Sequence, residues 1–382
     1  MTPPAALSLY VHIPWCVRKC PYCDFNSHAS TDALPEDDYI EALLLDLDHE
    51  LLRAPERRID TIFIGGGTPS LFGADAITRL LDGIAERARL ASDVEVTLEA
   101  NPGTVEASRF RGYRSAGVNR LSIGVQSFDD GMLARLGRIH DGRSAAAAVD
   151  TARSSGFDEI NIDLMFGLPG QSVEGALADV ETALGLGPSH LSLYQLTLEA
   201  NTLFGKFPPP LPEPDILWRA QLACQSALAA AGFRQYEVSA YAQAGHECRH
   251  NLNYWRFGDY LGIGAGAHGK ITDQETGALV RTAKLRRPDA YVAAVRDAPG
   301  PLPGTIVDDD DKPLEFLMNH LRLRDGFAAA AFTAGTGLPL TALEPALADC
   351  IRDGLLSDSG AVVRCTDHGW NFLEDVLGRF VR

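Results

Sequence analysis

The sequence predicts an α/β fold of parallel strands with helices outside. Three observations carry this expectation. Short apolar runs rich in Val, Ile and Leu alternate with amphipathic stretches of helical length through the first 200 residues. The residues able to do chemistry fall at the C-terminal ends of those runs, where α/β folds build their sites. Three of the seven cysteines, Cys16, Cys20 and Cys23, lie directly after the first run.

In chain order, residues 7–11 read as the first strand, and 36–53 as a helix with Pro35 at its start. Residues 60–64 form a second strand that runs into Gly65-Gly66-Gly67-Thr68-Pro69, and 75–89 a second helix. Residues 94–99 are the third strand, stopped by Asn101-Pro102-Gly103, with a helix over 104–116 and Thr104 as its N-cap. Strand 120–125 and helix 142–155 follow. Strand 159–166 ends in Gly167-Leu168-Pro169-Gly170, and helix 173–186 leads to a sixth strand at 190–198. A partial barrel and a doubly wound sheet both satisfy this pattern.

At 382 residues the chain can bury a large core in two domains. Its 46% apolar and 22% charged content excludes a disordered chain. A net charge of −17 with no basic stripe argues against a nucleic-acid partner. No apolar run approaches the ~18 residues of a membrane span, and no signal peptide is read. A thiol cluster in such a chain fits a reducing cytoplasm. The remaining cysteines, Cys224, Cys248, Cys350 and Cys365, are scattered and read as buried free thiols.

The cysteine spacing is C-x3-C-x2-C. Three thiolates on one loop leave one iron of a [4Fe-4S] cluster without a protein ligand. That iron could chelate the amino and carboxylate groups of S-adenosylmethionine and pass an electron to its sulfonium, giving a deoxyadenosyl radical. Tyr22, between the last two cysteines, could pack beside the adenine. Two other readings stay open from the residues alone: a zinc knuckle with His12 or His28 as fourth ligand, and a Cys20/Cys23 redox pair.

At the strand ends, Gly65, Gly66 and Gly67 allow a ligand to approach the backbone, although a plain tight turn reads the same way. Glu99 and Gln126 close the third and fourth strands, each suited to a ribose, amino or carboxylate edge. Arg138 reads as a carboxylate clamp if it faces the cleft and as a surface arginine otherwise. Asp163 stands inside an apolar strand and needs a partner, for which a ribose is preferred.

The residues resemble the coproporphyrinogen-oxidase-like branch of the radical SAM superfamily. The matching stretches are the cysteine loop, Gly65–Ser70, Leu98–Pro102, Ser122–Phe128, Leu136–His140 and Asp163–Gly170, in that order. The resemblance implies a partial (β/α)6 barrel with the cluster at its mouth. It implies Cys16, Cys20 and Cys23 as cluster ligands, with Tyr10 near the open iron and the methionyl end. Gly66, Gly67 and Thr68 would surround the amino-acid portion, and Glu99, Gln126, Arg138 and Asp163 the methionyl and ribosyl groups. Oxidases of this branch carry a fourth cysteine where Phe25 stands, and an extension before the first strand; here nine residues precede Tyr10. Both departures resemble the branch's heme chaperones instead.

After a polyproline connector at 207–214 come a helix at 216–231 and a strand at 235–241. Cys248-Arg249-His250-Asn251-Leu252-Asn253-Tyr254-Trp255 then carries an imidazole suited to heme iron. Extended or helical, it keeps His250 and Tyr254 on one face. From the residues alone a core-facing loop is the preferred reading; its likeness to the chaperones' heme-binding element makes His250 the candidate heme ligand. Gly262-x-Gly264-x-Gly266 lacks a βαβ setting and reads as close backbone packing, with His268 a hydrogen-bonded core histidine. The acidic run 308–311 reads as solvated and as favouring the helix at 314–323. Further helices at 340–350 and 370–381, around a β-like piece at 361–364, resemble the family's winged-helix-like, α-rich C-terminal domain.

The expected units are therefore a partial barrel over 1–206, a connector and barrel-associated segment over 207–305, and a C-terminal domain over 306–382. The resemblance implies a heme chaperone that passes heme to membrane-bound respiratory hemoproteins and has no transmembrane segment; peripheral membrane contact stays open. The alternatives are oxidative decarboxylation of coproporphyrinogen III, and another radical reaction such as methyl transfer. No residue is assigned as catalytic.

Overall fold

The computed structural model describes residues 7–30, 33–103 and 107–381. Among these, twelve strands form one sheet. In chain order they are β1 (Leu7–Ile13), β2 (Arg58–Gly66), β3 (Arg89–Ala100), β4 (Arg120–Gln126), β5 (Glu159–Phe166), β6 (His190–Gln195), β7 (Arg234–Glu237), β8 (Ala240–Ala242), β9 (Asp259–Ile263), β10 (His268–Thr272), β11 (Leu279–Ala283) and β12 (Thr305–Ile306). Their order across the sheet is β12-β11-β10-β9-β1-β2-β3-β4-β5-β6-β8-β7. From β9 to β6 all neighbours are parallel. The outer strands on both sides are antiparallel.

Helices α1 (Glu36–Leu51), α2 (Ala74–Arg87), α3 (Ala107–Ala116), α4 (Gly142–Ser154) and α5 (Val173–Gly185) fill the parallel crossovers in turn. The six expected strand–helix alternations are present, around one large sheet that is parallel through its centre. Thr104, the expected cap of α3, lies outside the described residues.

Strand alternation explains the layering. Leu9, Val11, Ile62, Ile64, Leu98, Leu121, Ile123, Ile160, Ile162 and Leu191 point to the helical side and are at most 1% exposed. Burying each such side chain is worth about 1.5–3 kcal/mol. The intervening residues point to the other face, and that face is polar. Tyr10, Thr97, Glu99, Ser122, Asn161, Asp163 and Ser192 all sit on it, lining one chamber. A sheet apolar on one side and polar on the other, with seven parallel strands, wraps its polar side around a cavity.

Several expectations change in the fold. The strand expected at 235–241 is a hairpin, β7 and β8, turned where the Glu237 carboxylate accepts from the Ser239 N–H. The glycine-rich stretch carries β9, a seventh parallel strand. A Cβ at Gly262 would lie 1.9 Å from the His268 carbonyl oxygen, so the close packing expected there does hold. His268 itself is exposed rather than a core histidine. Cys365 is half-buried, whereas Cys224, Cys248 and Cys350 are buried.

The middle segment supplies α6 (Pro214–Ala230), α7 (Arg249–Trp255) and α8 (Pro288–Asp297). Beyond β12, α9 (Lys312–His320) and a three-stranded sheet, β13 (Phe327–Ala328), β14 (Leu356–Asp358) and β15 (Val362–Cys365), build a second apolar cluster around Phe316, Phe327 and Phe332. The cluster also takes in Phe257 and Leu279, so it packs against the end of the large sheet. The helix expected at 340–350 is a 3-10 turn, Leu340–Leu343, and a helix, Ala346–Arg352. Pro345 between them has no N–H to continue the ladder. The helix at 370–381 is likewise two pieces, Asp367–Asn371 and Leu373–Gly378, the first capped by the Thr366 hydroxyl.

Candidate functional site: a chamber between the cysteine loop and α7

A cavity of about 710 Å³ opens on the polar face of the sheet. All thirteen residues named as site candidates line it: the three cysteines, Tyr10, Tyr22, Gly66, Gly67, Thr68, Glu99, Gln126, Arg138, Asp163 and His250. They come from loops and strand ends far apart in the chain, gathered by the parallel sheet.

At one end the cysteine loop leaves β1. Each sulfur has polar neighbours: Thr68 Oγ1 lies 3.5 Å from Cys16 Sγ, Arg138 Nη1 lies 3.7 Å from Cys20 Sγ, and Ser27 Oγ lies 3.9 Å from Cys23 Sγ. Such donors tune a cluster's reduction potential. His12 has no nitrogen left for a metal. Its Nδ1 meets the Tyr10 hydroxyl at 2.9 Å and its Nε2 the Asn26 carbonyl at 2.8 Å. His28 Nε2 faces the Arg286 carbonyl. The zinc-knuckle reading loses its best fourth ligand.

The glycines at the end of β2 are required by packing. Gly66 has φ of +119°, and a Cβ there would lie 2.6 Å from the His12 ring. A Cβ on Gly67 would lie 2.5 Å from the Trp15 carbonyl oxygen. Both hold the β2 turn against the cysteine loop, which brings Thr68 to Cys16.

Glu99 and Asp163 are half-buried carboxylates on the chamber wall, with no cation at ion-pair distance among the described residues. Glu99 accepts only from the Gly66 N–H, at 3.0 Å. Burial, with the Asp163 charge adding to it, pushes its carboxyl up to about 8. Asp163 accepts from Ser122 and Asn161, and burial raises it too. Gln126 adopts a left-handed φ of +72° at the β4 end, with its amide oxygen accepting from the Tyr194 hydroxyl at 2.6 Å. Non-glycine residues take that conformation uncommonly. Arg138 is anchored to Asn101 Oδ1 and the Gly124 carbonyl, and its buried Nε has no acceptor among the described residues. Three thiols, two carboxylates lacking a cation and an arginine with an open donor fit a [4Fe-4S] cluster carrying an amino-acid-bearing, ribose-bearing ligand. Cys16, Cys20 and Cys23 would hold the iron, and Glu99, Asp163 and Arg138 the polar groups.

At the other end stands α7, the helical alternative for residues 249–255. Glu95 explains that choice. Its carboxylate accepts from the backbone N–H groups of Arg249, at 3.1 Å, and His250, at 2.9 Å, satisfying the first turn. His250 is 1% exposed. Thr61 gives its only proton to Ser8, so its oxygen accepts from His250 Nδ1–H at 2.8 Å. That fixes the tautomer, and the Nε2 lone pair accepts from the Tyr254 hydroxyl at 2.9 Å. Burial pulls the imidazole down to about 3, so it is neutral. Neutral imidazole with a directed Nε2 lone pair is the form that binds iron; here a phenol covers it.

Sequence reasoning missed Thr61, Glu95, Asn101 and Tyr194 as members of this site. Glu95 carried a readable signal, a carboxylate on an inward position of a strand, as Asp163 does. Thr61 and Tyr194 carried none.

The parallel sheet and its thiol loop define a radical SAM protein. Residues 10–183 match the Radical SAM superfamily model, and residues 307–372 match the HemN C-terminal domain. The chain is 51% identical to the heme chaperone HemW of Escherichia coli strain K12, over 98% of each chain. It is 47% identical to the HemW of Haemophilus influenzae, again over 98% of each, and 34% identical to that of Bacillus subtilis, over 98% of this chain and 99% of the relative. The chain belongs to the HemW family of the radical SAM superfamily. The solved structure of Escherichia coli coproporphyrinogen III oxidase HemN superposes with a TM-score of 0.82 at 23% identity, covering 98% of this chain and 90% of that one. That likeness concerns the fold.

Proposed function

We propose that this protein is a heme chaperone of the cytoplasm that binds heme at His250 and passes it to respiratory hemoproteins. A [4Fe-4S] cluster on Cys16, Cys20 and Cys23 and S-adenosylmethionine on its open iron act beside the heme. The observation that carries the reading is the placement of α7: the helix with His250 shares one chamber with the three thiols. Near-complete alignment with relatives named heme chaperones supports it. No helix of the described residues is long and apolar enough to cross a membrane, so the reading needs a membrane acceptor to come to the protein surface.

The chain's own residues give the chemistry. Thr61 holds the imidazole in the Nδ1–H tautomer. Tyr254 covers Nε2 until a metal replaces its hydroxyl. Glu95 fixes the helix that carries both. When bound, cluster and S-adenosylmethionine supply one-electron chemistry at the sulfonium; Glu99, Asp163 and Arg138 orient the methionyl and ribosyl groups, and Tyr22 covers the adenine.

The test is an anaerobic hemin titration of the cluster-reconstituted protein beside His250→Ala, followed at the Soret band. A saturable one-to-one band that is lost or shifted in the variant is expected. An identical band in both moves the ligand elsewhere. No specific band in the parent overturns the chaperone reading, and decarboxylation of coproporphyrinogen III becomes the activity to assay.

A further inference from the structure

A second cavity, of about 220 Å³, adjoins the chamber at Tyr254 and Trp255, which line both. Its composition runs against that of the chain. The protein carries a net charge of −17, yet this pocket is lined by Lys270 and Arg281 with no aspartate or glutamate in its walls. Lys270 is buried at 2% exposure. Its ammonium donates to the Phe257 carbonyl and to Asp259, a carboxylate it shares with Arg57. Arg281 donates to the Tyr260 hydroxyl at 3.0 Å and to Glu315 of α9. The Trp255 indole N–H is buried and has no acceptor among the described residues. A buried donor without an acceptor is rare in folded proteins, so this one, beside two cations already paired to Asp259 and Glu315, marks a place for an acceptor from outside. Burial and the nearby Arg281 and Arg57 charges draw Lys270 below its ordinary value, which an anion would relieve.

The space admits a short carboxylate arm; drug-sized ligands occupy about 300–1,000 Å³. Resting on the heme-binding reading above, we propose that this side pocket receives a propionate carboxylate of heme, held by Arg281, Lys270 and the Trp255 N–H, while the macrocycle lies against Tyr254 and Trp255. The pocket gives α9 a part in heme binding, because Glu315 sets the Arg281 guanidinium and Asn319 forms a wall. It also explains why the tryptophan of the 250–255 element is a tryptophan: phenylalanine would pack but could not donate.

The experiment compares hemin with hemin dimethyl ester, in which both carboxylates are masked. Each is titrated anaerobically into the full, cluster-reconstituted chain, into Arg281→Gln and into Trp255→Phe. A charge-assisted hydrogen bond is worth about 1.5–3 kcal/mol, so the parent should bind hemin at least about tenfold tighter than the ester. Arg281→Gln should lose most of that preference, Trp255→Phe about a threefold part of it, and ester affinity should hardly change in either. Equal affinity of the parent for hemin and ester overturns the pocket while leaving the heme chaperone standing. Equal losses for both ligands in the variants overturn it as well, because the residues would then act through packing. Absence of a Soret band with either ligand in the parent overturns the chaperone reading and this pocket together. The parent comparison needs no substitution, so a variant that fails to fold does not decide the matter.

Discussion

The two ends of the chamber are built on opposite plans. Around the cysteine loop the polar groups are left incomplete among the described residues: Glu99 has one backbone donor, Arg138 has an open Nε, and the side-chain donors nearest the three sulfurs stand 3.5–3.9 Å away. Around His250 the groups are closed on themselves, with both imidazole nitrogens hydrogen-bonded and the start of its helix satisfied by Glu95. An incomplete end gains every interaction a bound group brings and releases it reluctantly. A closed end must give up a protein hydrogen bond to admit a guest, and regains it when the guest leaves. The first plan suits a resident cofactor, the second a cargo.

The largest effect that tests this contrast comes from Cys20→Ser. It should abolish the iron–sulfur absorption near ~400 nm after reconstitution, because no other thiol of the described residues stands on that loop to replace it. The closed end does not depend on the thiols, so hemin should still give its Soret band. Loss of both bands would join the two ends into one site.

Acid and base should pull the two ends apart. His250 has an ordinary value of 6.5 and is drawn to about 3 by burial. As pH falls from 6.5 toward 3 the unfolded chain takes up a proton that the native imidazole refuses, so stability falls with pH. Glu99 has an ordinary value of 4.5 and is pushed to about 8. As pH rises from 4.5 toward 8 the unfolded chain releases a proton that the native carboxyl keeps, so stability falls as pH rises. Urea denaturation of the cofactor-free chain should therefore show Glu99→Gln flattening part of the dependence between pH 5 and 8, the rest belonging to Asp46, Asp163, Asp179 and Glu237, which burial also raises. His250→Ala should flatten only part of the acid side, because His190 and His140 are also buried and lowered. An unchanged slope in Glu99→Gln would mean its carboxyl is ionised and partnered, against the open plan.

The same contrast governs what could be read from the chain. The cysteine loop was legible because a cluster's ligands stand close in sequence, and the strand ends because glycine, proline and isolated polar residues interrupt apolar runs. The α7 end was not. His250 alone left a loop and a ligand both acceptable, since its partners Thr61 and Glu95 lie 189 and 155 residues away. Whether residues 248–255 were extended or helical depended on Glu95, which no local pattern announces. The hairpin at β7–β8 hid because its turn, at Val238-Ser239, carries no glycine, proline or asparagine to announce it, and β9 hid behind its glycines. Local rules found the elements; tertiary hydrogen bonds decided what the second end could do.

The smallest effect is the sharpest test of the closed end. Tyr254→Phe keeps the ring beside His250, at a centroid distance of 4.8 Å in the parent, and removes only the hydroxyl on Nε2. A hydrogen bond of this kind is worth about 0.5–1.5 kcal/mol net. If a guest must displace it, the variant should bind hemin about threefold to tenfold tighter, with the change in the dissociation rate. Unchanged affinity would mean the hydroxyl and the iron do not compete, so His250 Nε2 is not the ligating atom. Weaker binding would mean that the Tyr254 hydroxyl itself holds the guest. A chaperone has reason to keep the hydroxyl even though it lowers affinity, because the bond that re-forms on Nε2 offsets part of the cost of letting the heme go.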